Sequence, residues 1–325
     1  MSTSNKLVME VRVQAVRLEA EGIKSYELRP LHGESLAPFT AGSHIDLQLG
    51  NGMVRSYSLV NAPHETDRYV VAVQHDPNGR GGSAHIHREV HCGDTMKISM
   101  PRNNFRLIEE AEKSIFIAGG IGITPFVAMA QKVHSMQRDW HLHYFVRAKE
   151  KVAFLEKLNS IDDIGARVKL HVNASVDETH EILKDIIDSE VGSTHLYCCG
   201  PGGMIAGFLA LAEQRDKDTV HVEHFSATES NSPAAGNSTF KVYLHKLKRE
   251  VVVPADKSIL SALLDAGIDH PYSCEQGVCG ACETRIIDGI ADHRDMVLND
   301  AEKAANKSVM ICCSRSKSDR LVLDI

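Results

Sequence analysis

No stretch of this sequence is apolar for the roughly 20 residues that a helix needs to cross a bilayer, so no membrane span is expected. Positive charge is also in deficit. Lys and Arg number 36 against 43 Asp and Glu, and the formal net charge of −7 argues against the basic surface that non-specific nucleic-acid binding requires. The opening MSTSNKLVMEVRV lacks the apolar core of a secretory leader and runs straight into alternating, strand-like sequence, so the expected compartment is cytoplasmic. Thiols stay reduced there, and clustered cysteines are ligands or catalysts more often than staples. There is no internal repeat and no heptad. What is present is an ordinary globular composition, 43% hydrophobic and 24% charged, in 325 residues, a length that suits about two or three domains.

Texture divides the chain. Up to about residue 106 the sequence is strand-rich (VMEVRVQAVRLEA, SHIDLQL, VRSYSLV, YVVAVQHD, TMKISMP), and LGNGM at 49–53 is a hairpin-turn signal; short, closely spaced strands predict an antiparallel barrel. Over 107–226 the strands SIFIAGG, HLHYFV, VKLHVN, HLYCCG and VHVEHF alternate with helical segments, the rhythm of a parallel α/β sheet covered on both faces. SATESNSPAAGNST is small and polar, and residues 227–239 within it are expected to be a linker. Residues 240–325 read as a small mixed α+β domain, with the helix of SILSALLDAGI ending at Gly267.

The last domain holds SCEQGVCGACE. Cys274, Cys279 and Cys282 form C-x4-C-x2-C, and Cys312 follows after twenty-nine intervening residues. That is the ligand spacing of a plant-type [2Fe–2S] cluster. Structural zinc usually takes two C-x2-4-C pairs, and a redox C-x-x-C made from Cys279 and Cys282 leaves Cys274 unexplained. Gly277 and Gly280 let such a loop curl, so that backbone N–H groups can face sulfur. Cys312 and Cys313 are adjacent; on a strand they point to opposite faces, so one is the fourth ligand and the other a buried small hydrophobe.

Two further signals follow strands in the α/β region. AGGIGITP (118–125) opens a helix, with Thr124 expected as N-cap and Pro125 at the first helical position, and CCGP (198–201) closes another strand before a helix. Two such turns on one parallel sheet suit a pyridine-nucleotide crevice at the carboxyl ends of the strands, although Pro125 breaks the G-x-G-x-x-G pattern and glycine-rich turns also arise for packing alone. In the strand-rich half, Arg55 of RSYS and Gly81, Gly82 and Ser83 of GRGGS are the residue types that hold a phosphate, or else an ordinary loop beside a surface arginine.

Taken together and in this order, RSYSL, NGRGGS, AGGIGITP, YCCGP, CEQGVCGAC and ADHRDMVL resemble the phthalate dioxygenase reductase family over the whole chain. The resemblance implies a multidomain chain: an FMN-binding β-barrel (1–106), an NAD-binding α/β domain (107–226), the linker (227–239) and a β-grasp ferredoxin domain (240–325). It implies flavin contacts from Arg55, Ser56, Tyr57 and Ser58, and a phosphate cradle of Gly81, Gly82 and Ser83. Gly119, Gly120, Gly122 and Thr124 line the nicotinamide path with Gly200 and Pro201, Cys199 sits near the nicotinamide, and Phe225 covers the flavin; Thr124, Cys199 and Phe225 are the catalytic candidates. No adenine-stacking aromatic follows Ser83, which favours FMN over FAD. Where NADH-specific relatives carry an acidic residue, this chain has Asn173, with Arg147 and Lys149 after the preceding strand; NADH remains the expected donor.

The implied activity is that of a reductase component: electrons pass from NADH through FMN to a [2Fe–2S] cluster and on to a transient Rieske-type terminal oxygenase, with this protein a monomer. Residues 240–325 carry twelve Lys and Arg against thirteen Asp and Glu, so docking is expected to be only mildly salt-sensitive. The alternative is an electron-transfer subunit of a permanent complex of the dihydroorotate-dehydrogenase kind. A third reading, a metal enzyme, rests on eighteen histidines, among them the i, i+2 pairs His85/His87 and His141/His143, which share a face if they lie on strands.

Overall fold

The computed structural model describes residues 8–31, 35–50, 52–162, 165–226 and 237–325. The expected linker at 227–239 lies outside the described residues except for 237–239. Contacts divide the chain into two compact units, one ending at Phe225 and one starting at Ser226.

The first unit begins with strands β1 (Val8–Ala20), β2 (Ile23–Pro30), β3 (His44–Gln48), β4 (Val54–Ser58) and β5 (Tyr69–Gln74), then helix α1 (Gly82–Glu89) and β6 (Thr95–Ser99). Period-two alternation sets their facing: in β1, Val11 and Val13 are buried between exposed Glu10, Arg12 and Gln14. The strand order is β4-β3-β6-β1-β2-β5, and every pair is antiparallel. A bridge between Leu59 and Val71 and the hydrogen bond from Val60 N to Val70 O (2.8 Å) bring the two edges together, so the sheet closes as the barrel expected. The LGNGM signal joins β3 to β4, with Leu49 N donating to Met53 O at 2.8 Å. His85 and His87 lie on α1 rather than on a strand, so i, i+2 spacing does not give them a common face.

β7 (Lys113–Gly119), α2 (Ile123–Ser135), β8 (Asp139–Val146), α3 (Leu155–Ile161), β9 (Val168–Val172), α4 (Val176–Ser189), β10 (His195–Cys199), α5 (Gly202–Leu211) and β11 (Val220–Glu223) follow. Their parallel sheet has the order β11-β10-β7-β8-β9. SIFIAG is almost continuously apolar because both faces are covered. Phe116 and Ala118 join Phe126, Met129, Trp140, Tyr144 and Tyr197 on the α2 side, whereas Ile115 and Ile117 meet Leu183, Ile187 and Phe208 of α4 and α5. Ile23, Ala41, Val60, Ala72 and Phe105 from the barrel half extend the α2-side cluster into one continuous core.

The second unit contains β12 (Phe240–Leu244), β13 (Arg249–Val253), α6 (Ile259–Asp265), β14 (Glu283–Asp288), β15 (Ala291–Asp292), α7 (Asp300–Ala305), β16 (Ser308–Met310), β17 (Arg315–Ser316) and β18 (Arg320–Leu323). The main sheet is ordered β13-β12-β18-β14-β16, with β12 and β18 parallel and a β15–β17 pair beside it. α6 is capped by Ser258, whose hydroxyl accepts from Ser261 N at 3.0 Å, and buries Ile259, Leu260 and Leu263. Gly267 adopts φ 72°, and with Ile268 N bonded to Leu263 O (2.9 Å) it stops the helix where the sequence suggested. Among the described residues no helix is long and apolar enough to cross a membrane.

Candidate functional site

The two barrel motifs, twenty-five residues apart, meet. Arg55 on β4 donates from its guanidinium to Arg80 O at 3.3 Å and to Val54 O at 2.8 Å. Its shaft lies so close over the start of α1 that a Cβ on Gly82 would stand 2.5 Å from Arg55 Nε. Gly81 precedes the helix at φ 81°, no side chain caps the helix, and its first turn carries no acidic residue. The first N–H groups of α1 and the Arg55 guanidinium therefore converge where only glycine fits, the donor set that a phosphate monoester requires. The Ser83 hydroxyl is engaged with Asp76 N (3.1 Å) and braces the preceding loop. Ser56 donates to Asp46 at 2.6 Å, and Asp46 is held by Arg102 at 2.9 Å, which ties the Ser56 side chain into the barrel wall. The Arg102 hydrogen bond and charge hold the Asp46 carboxyl below its ordinary range despite burial. Tyr57 is half-buried against the barrel core, and burial pushes its phenol up.

The glycine turns after β7 and β10 pack backbone to backbone. A Cβ on Gly122 would lie 2.2 Å from Cys199 O, and one on Gly119 would lie 2.6 Å from Pro201 Cδ and 3.2 Å from Gly200 Cα. Gly119, Gly122 and Gly200 thus serve the approach of the two turns. Gly120, at φ 54° with nothing within 4 Å of a built Cβ, faces open space at the helix entrance and is the glycine placed to let a ligand come close. Thr124 is not the N-cap. A 3-10 turn over Gly120–Gly122 runs directly into α2, so Gly122 occupies the cap and buried Thr124 donates its hydroxyl back to Ile121 O at 3.0 Å. Pro125 accordingly sits third in the helix, where its missing N–H is still harmless.

Cys199 is fully buried at the end of β10, in register with Ala118 on one side and Glu223 on the other. Burial, then the neighbouring Glu223, raises its thiol well above the ordinary value. Glu223 was missed in the sequence. Half-buried at the strand end, its Oε2 is shielded and has no hydrogen-bond partner, and burial pushes its carboxyl up to about 8. Only the β10–β11 register brings it beside Cys199. Phe225, two residues past β11, is 40% exposed. Asn173 donates its N–H to Val146 O (2.8 Å), which places it next to exposed Arg147 at the ends of β8 and β9.

In the second unit Cys274, Cys279, Cys282 and Cys312 are all buried. Their thiols touch in the sequence Cys279–Cys274–Cys312–Cys282, and the mutual contacts hold Cys274 low while raising Cys279 and Cys312. Among the described residues no three donors converge on one point as the ligands of a single ion do. A string of two pairs fits a two-iron cluster better than one zinc. Backbone N–H groups face the sulfurs: Gln276 N to Cys274 Sγ at 3.3 Å, Cys274 N and Ala281 N to Cys279 Sγ at 3.5 Å each. Cys312 and Cys313 do not lie on a strand, because β16 ends at Met310 and both fall in the following turn. The turn, not strand alternation, sends Cys312 among the other three buried thiols and leaves Cys313 half-buried under Gly277, where a Cβ would come 2.5 Å from its Sγ.

A parallel nucleotide sheet joined to a barrel with a phosphate cradle, followed by a four-cysteine grasp domain, defines a pyridine-nucleotide, iron–sulfur oxidoreductase. Family models agree: an oxidoreductase NAD-binding domain matches residues 116–210 and a 2Fe-2S iron-sulfur cluster binding domain matches 242–317. Phthalate dioxygenase reductase of Burkholderia cepacia is 38% identical over 98% of this chain and 97% of its own, and tetrachlorobenzoquinone reductase of Sphingobium chlorophenolicum is 43% identical over 98% of each. The chain belongs to the phthalate dioxygenase reductase family. A solved phthalate dioxygenase reductase structure, described as modular for electron transfer from pyridine nucleotides to [2Fe-2S], superposes with a TM-score of 0.73 at 38% identity, covering 98% of both chains. An intact type IV self-sufficient cytochrome P450 monooxygenase gives 0.88 at 38% identity; this chain spans 41% of that longer protein.

Proposed function

We propose that this protein is the NADH-dependent reductase component of a Rieske-type, aromatic-ring oxygenase system, cytoplasmic and monomeric, with domains at 1–106, 107–226 and 240–325. The observation that carries this reading is the coexistence, in one chain, of the Arg55–Gly82 phosphate cradle, the paired glycine turns and the buried four-cysteine string. Arg55 and the N–H groups of Gly82 and Ser83 would hold the FMN phosphate, with Tyr57 and Ser58 along the same strand toward the ring. Gly120 admits the nucleotide diphosphate to the start of α2, and Cys199, Glu223 and Phe225 border the nicotinamide end. Cys274, Cys279, Cys282 and Cys312 would hold the cluster. Bound there, FMN supplies the conversion of a two-electron hydride into single electrons, and the cluster supplies a one-electron relay. Burial raises both the Glu223 carboxyl and the Cys199 thiol, which disfavours negative charge beside the hydride path. Arg147 beside Asn173 leaves room for a 2′-phosphate, so NADPH is the coenzyme to compare with NADH.

Anaerobic titration of the purified protein with NADH tests the reading. Flavin and iron–sulfur absorbance should bleach together near about three electrons per chain. A flavin that bleaches alone, or a protein without iron–sulfur bands, would overturn it, and a stoichiometric co-purifying subunit would point to a permanent complex.

A further inference from the structure

A cavity of about 430 Å³ opens on the α4 side of the parallel sheet. Lys113 and His141 from the first halves of β7 and β8 line it, with His143 and His171 further along β8 and β9 and Asp185 and Ser189 from the C-terminal half of α4. On β7 it takes in the start of the strand, whereas the glycine turns follow the ends of β7 and β10. His143 Nδ1 and His171 Nε2 are 3.1 Å apart, with ring planes within 7° of each other. Phe145, the register partner of His171, stacks on that ring at 4.4 Å and fixes its plane. His141 shares the face at i−2, and its Nδ1 is buried without a hydrogen-bond partner.

We propose that His143 and His171 form a two-histidine chelate for a borderline transition-metal dication of the Zn²⁺, Ni²⁺ or Cu²⁺ class. Two imidazole nitrogens about 3 Å apart have the spacing of neighbouring ligands on an ion bound at about 2.1 Å. The neutral pair carries one proton between the facing nitrogens. Metal binding moves that proton to the other nitrogen of the same ring, with no net release. Lys113 is tied to Glu190 at 2.8 Å, and the cavity is also lined by Lys169, which disfavours a cation, and by Asp185 of α4, which favours one. Among the described residues no third His, Cys, Asp or Glu converges on the point, so water completes the coordination and the site is weaker than a three-ligand centre. Its effect is to clip β9, an edge strand, to β8.

Cu²⁺ is the probe, added to the oxidised holoprotein, whose flavin and cluster are silent in electron paramagnetic resonance. The expected result is one Cu²⁺ per chain, displaced by Zn²⁺, with pulsed measurements detecting two coordinated imidazoles. His143→Phe and His171→Phe should each abolish this signal while NADH oxidation in metal-free buffer stays within twofold. A wild-type spectrum with one imidazole or none overturns the proposal without recourse to variants, as does a two-imidazole signal that persists in both.

Discussion

In the cysteine loop Gly277 supplies a backbone angle as well as closeness to Cys313, and in the nucleotide crevice Gly122 supplies closeness alone. Gly277 sits at φ 72° so that the chain between Cys274 and Cys279 can curl, with Met296 N bonded to its carbonyl at 2.9 Å. Gly122 has an ordinary helical φ of −61° and is glycine because Cys199 O would stand 2.2 Å from its Cβ. The loop gathers three of its four thiols from nine consecutive positions, whereas the crevice is assembled from three strands spread between residues 113 and 223. A site of the first kind depends on local curvature, and one of the second kind on the packing of the whole sheet.

The widest separation between the two regions should come from Cys282→Ser. Loss of the cluster is expected to lower NADH-driven reduction of cytochrome c, a one-electron acceptor, by more than about 100-fold, while ferricyanide reduction at the flavin end persists. Cytochrome c reduction that survived would remove the cysteine loop from the electron path.

Gly122→Ala and Gly277→Ala sharpen the contrast. The first forces the two glycine turns apart, with an expected loss of about 1–3 kcal/mol in thermal or denaturant unfolding; NADH oxidation falls while iron content stays normal. The second should do the reverse, lowering iron content by analysis and sparing ferricyanide reduction. If both variants lost iron equally, the two regions would not be independent.

The pH dependence of stability offers a finer test. The Glu223 carboxyl titrates at about 8 when folded, against 4.5 ordinarily, because burial disfavours its charge. The folded state therefore binds the extra proton between those values. Its contribution to stability is full below about pH 4.5 and is lost as pH rises through 8. Melting temperature measured from pH 5 to 9 should fall more steeply in the wild type than in Glu223→Gln. Matching slopes would show that the carboxyl is not the group responsible.

Smallest of all should be Cys313→Ala, which ought to keep its iron and change stability by less than about 1 kcal/mol, beside Cys312→Ala, which should lose the cluster. Iron retained in both would mean that the turn can exchange one thiol for the other.

The two sites differed in how far they could be read. C-x4-C-x2-C is legible because ligand spacing within a loop is itself the chemistry. RSYS and GRGGS were visible as separate motifs, but either alone could have been an ordinary loop until Arg55 was seen lying over Gly82. Thr124 was misplaced as a cap because a 3-10 turn that feeds a helix leaves no local mark in AGGIGITP. The choice between Cys312 and Cys313 was framed for a strand that in fact stops two residues earlier, at Met310. Glu223 gave no signal, since an isolated carboxylate in VHVEHF looks like a strand-end surface residue.

By itself the sequence determined the three textures, the C-x4-C-x2-C loop, the glycines of both turns and the family, because periodicity and short-range spacing act within a few residues of chain. Tertiary structure alone decided which glycines serve packing and which faces open space, which of two adjacent thiols joins the other three, and that Glu223 lies beside Cys199. Those outcomes depend on β10 lying between β7 and β11 and on the direction in which one turn leaves β16, and strand neighbours are set by the burial of the whole sheet rather than by any segment of it.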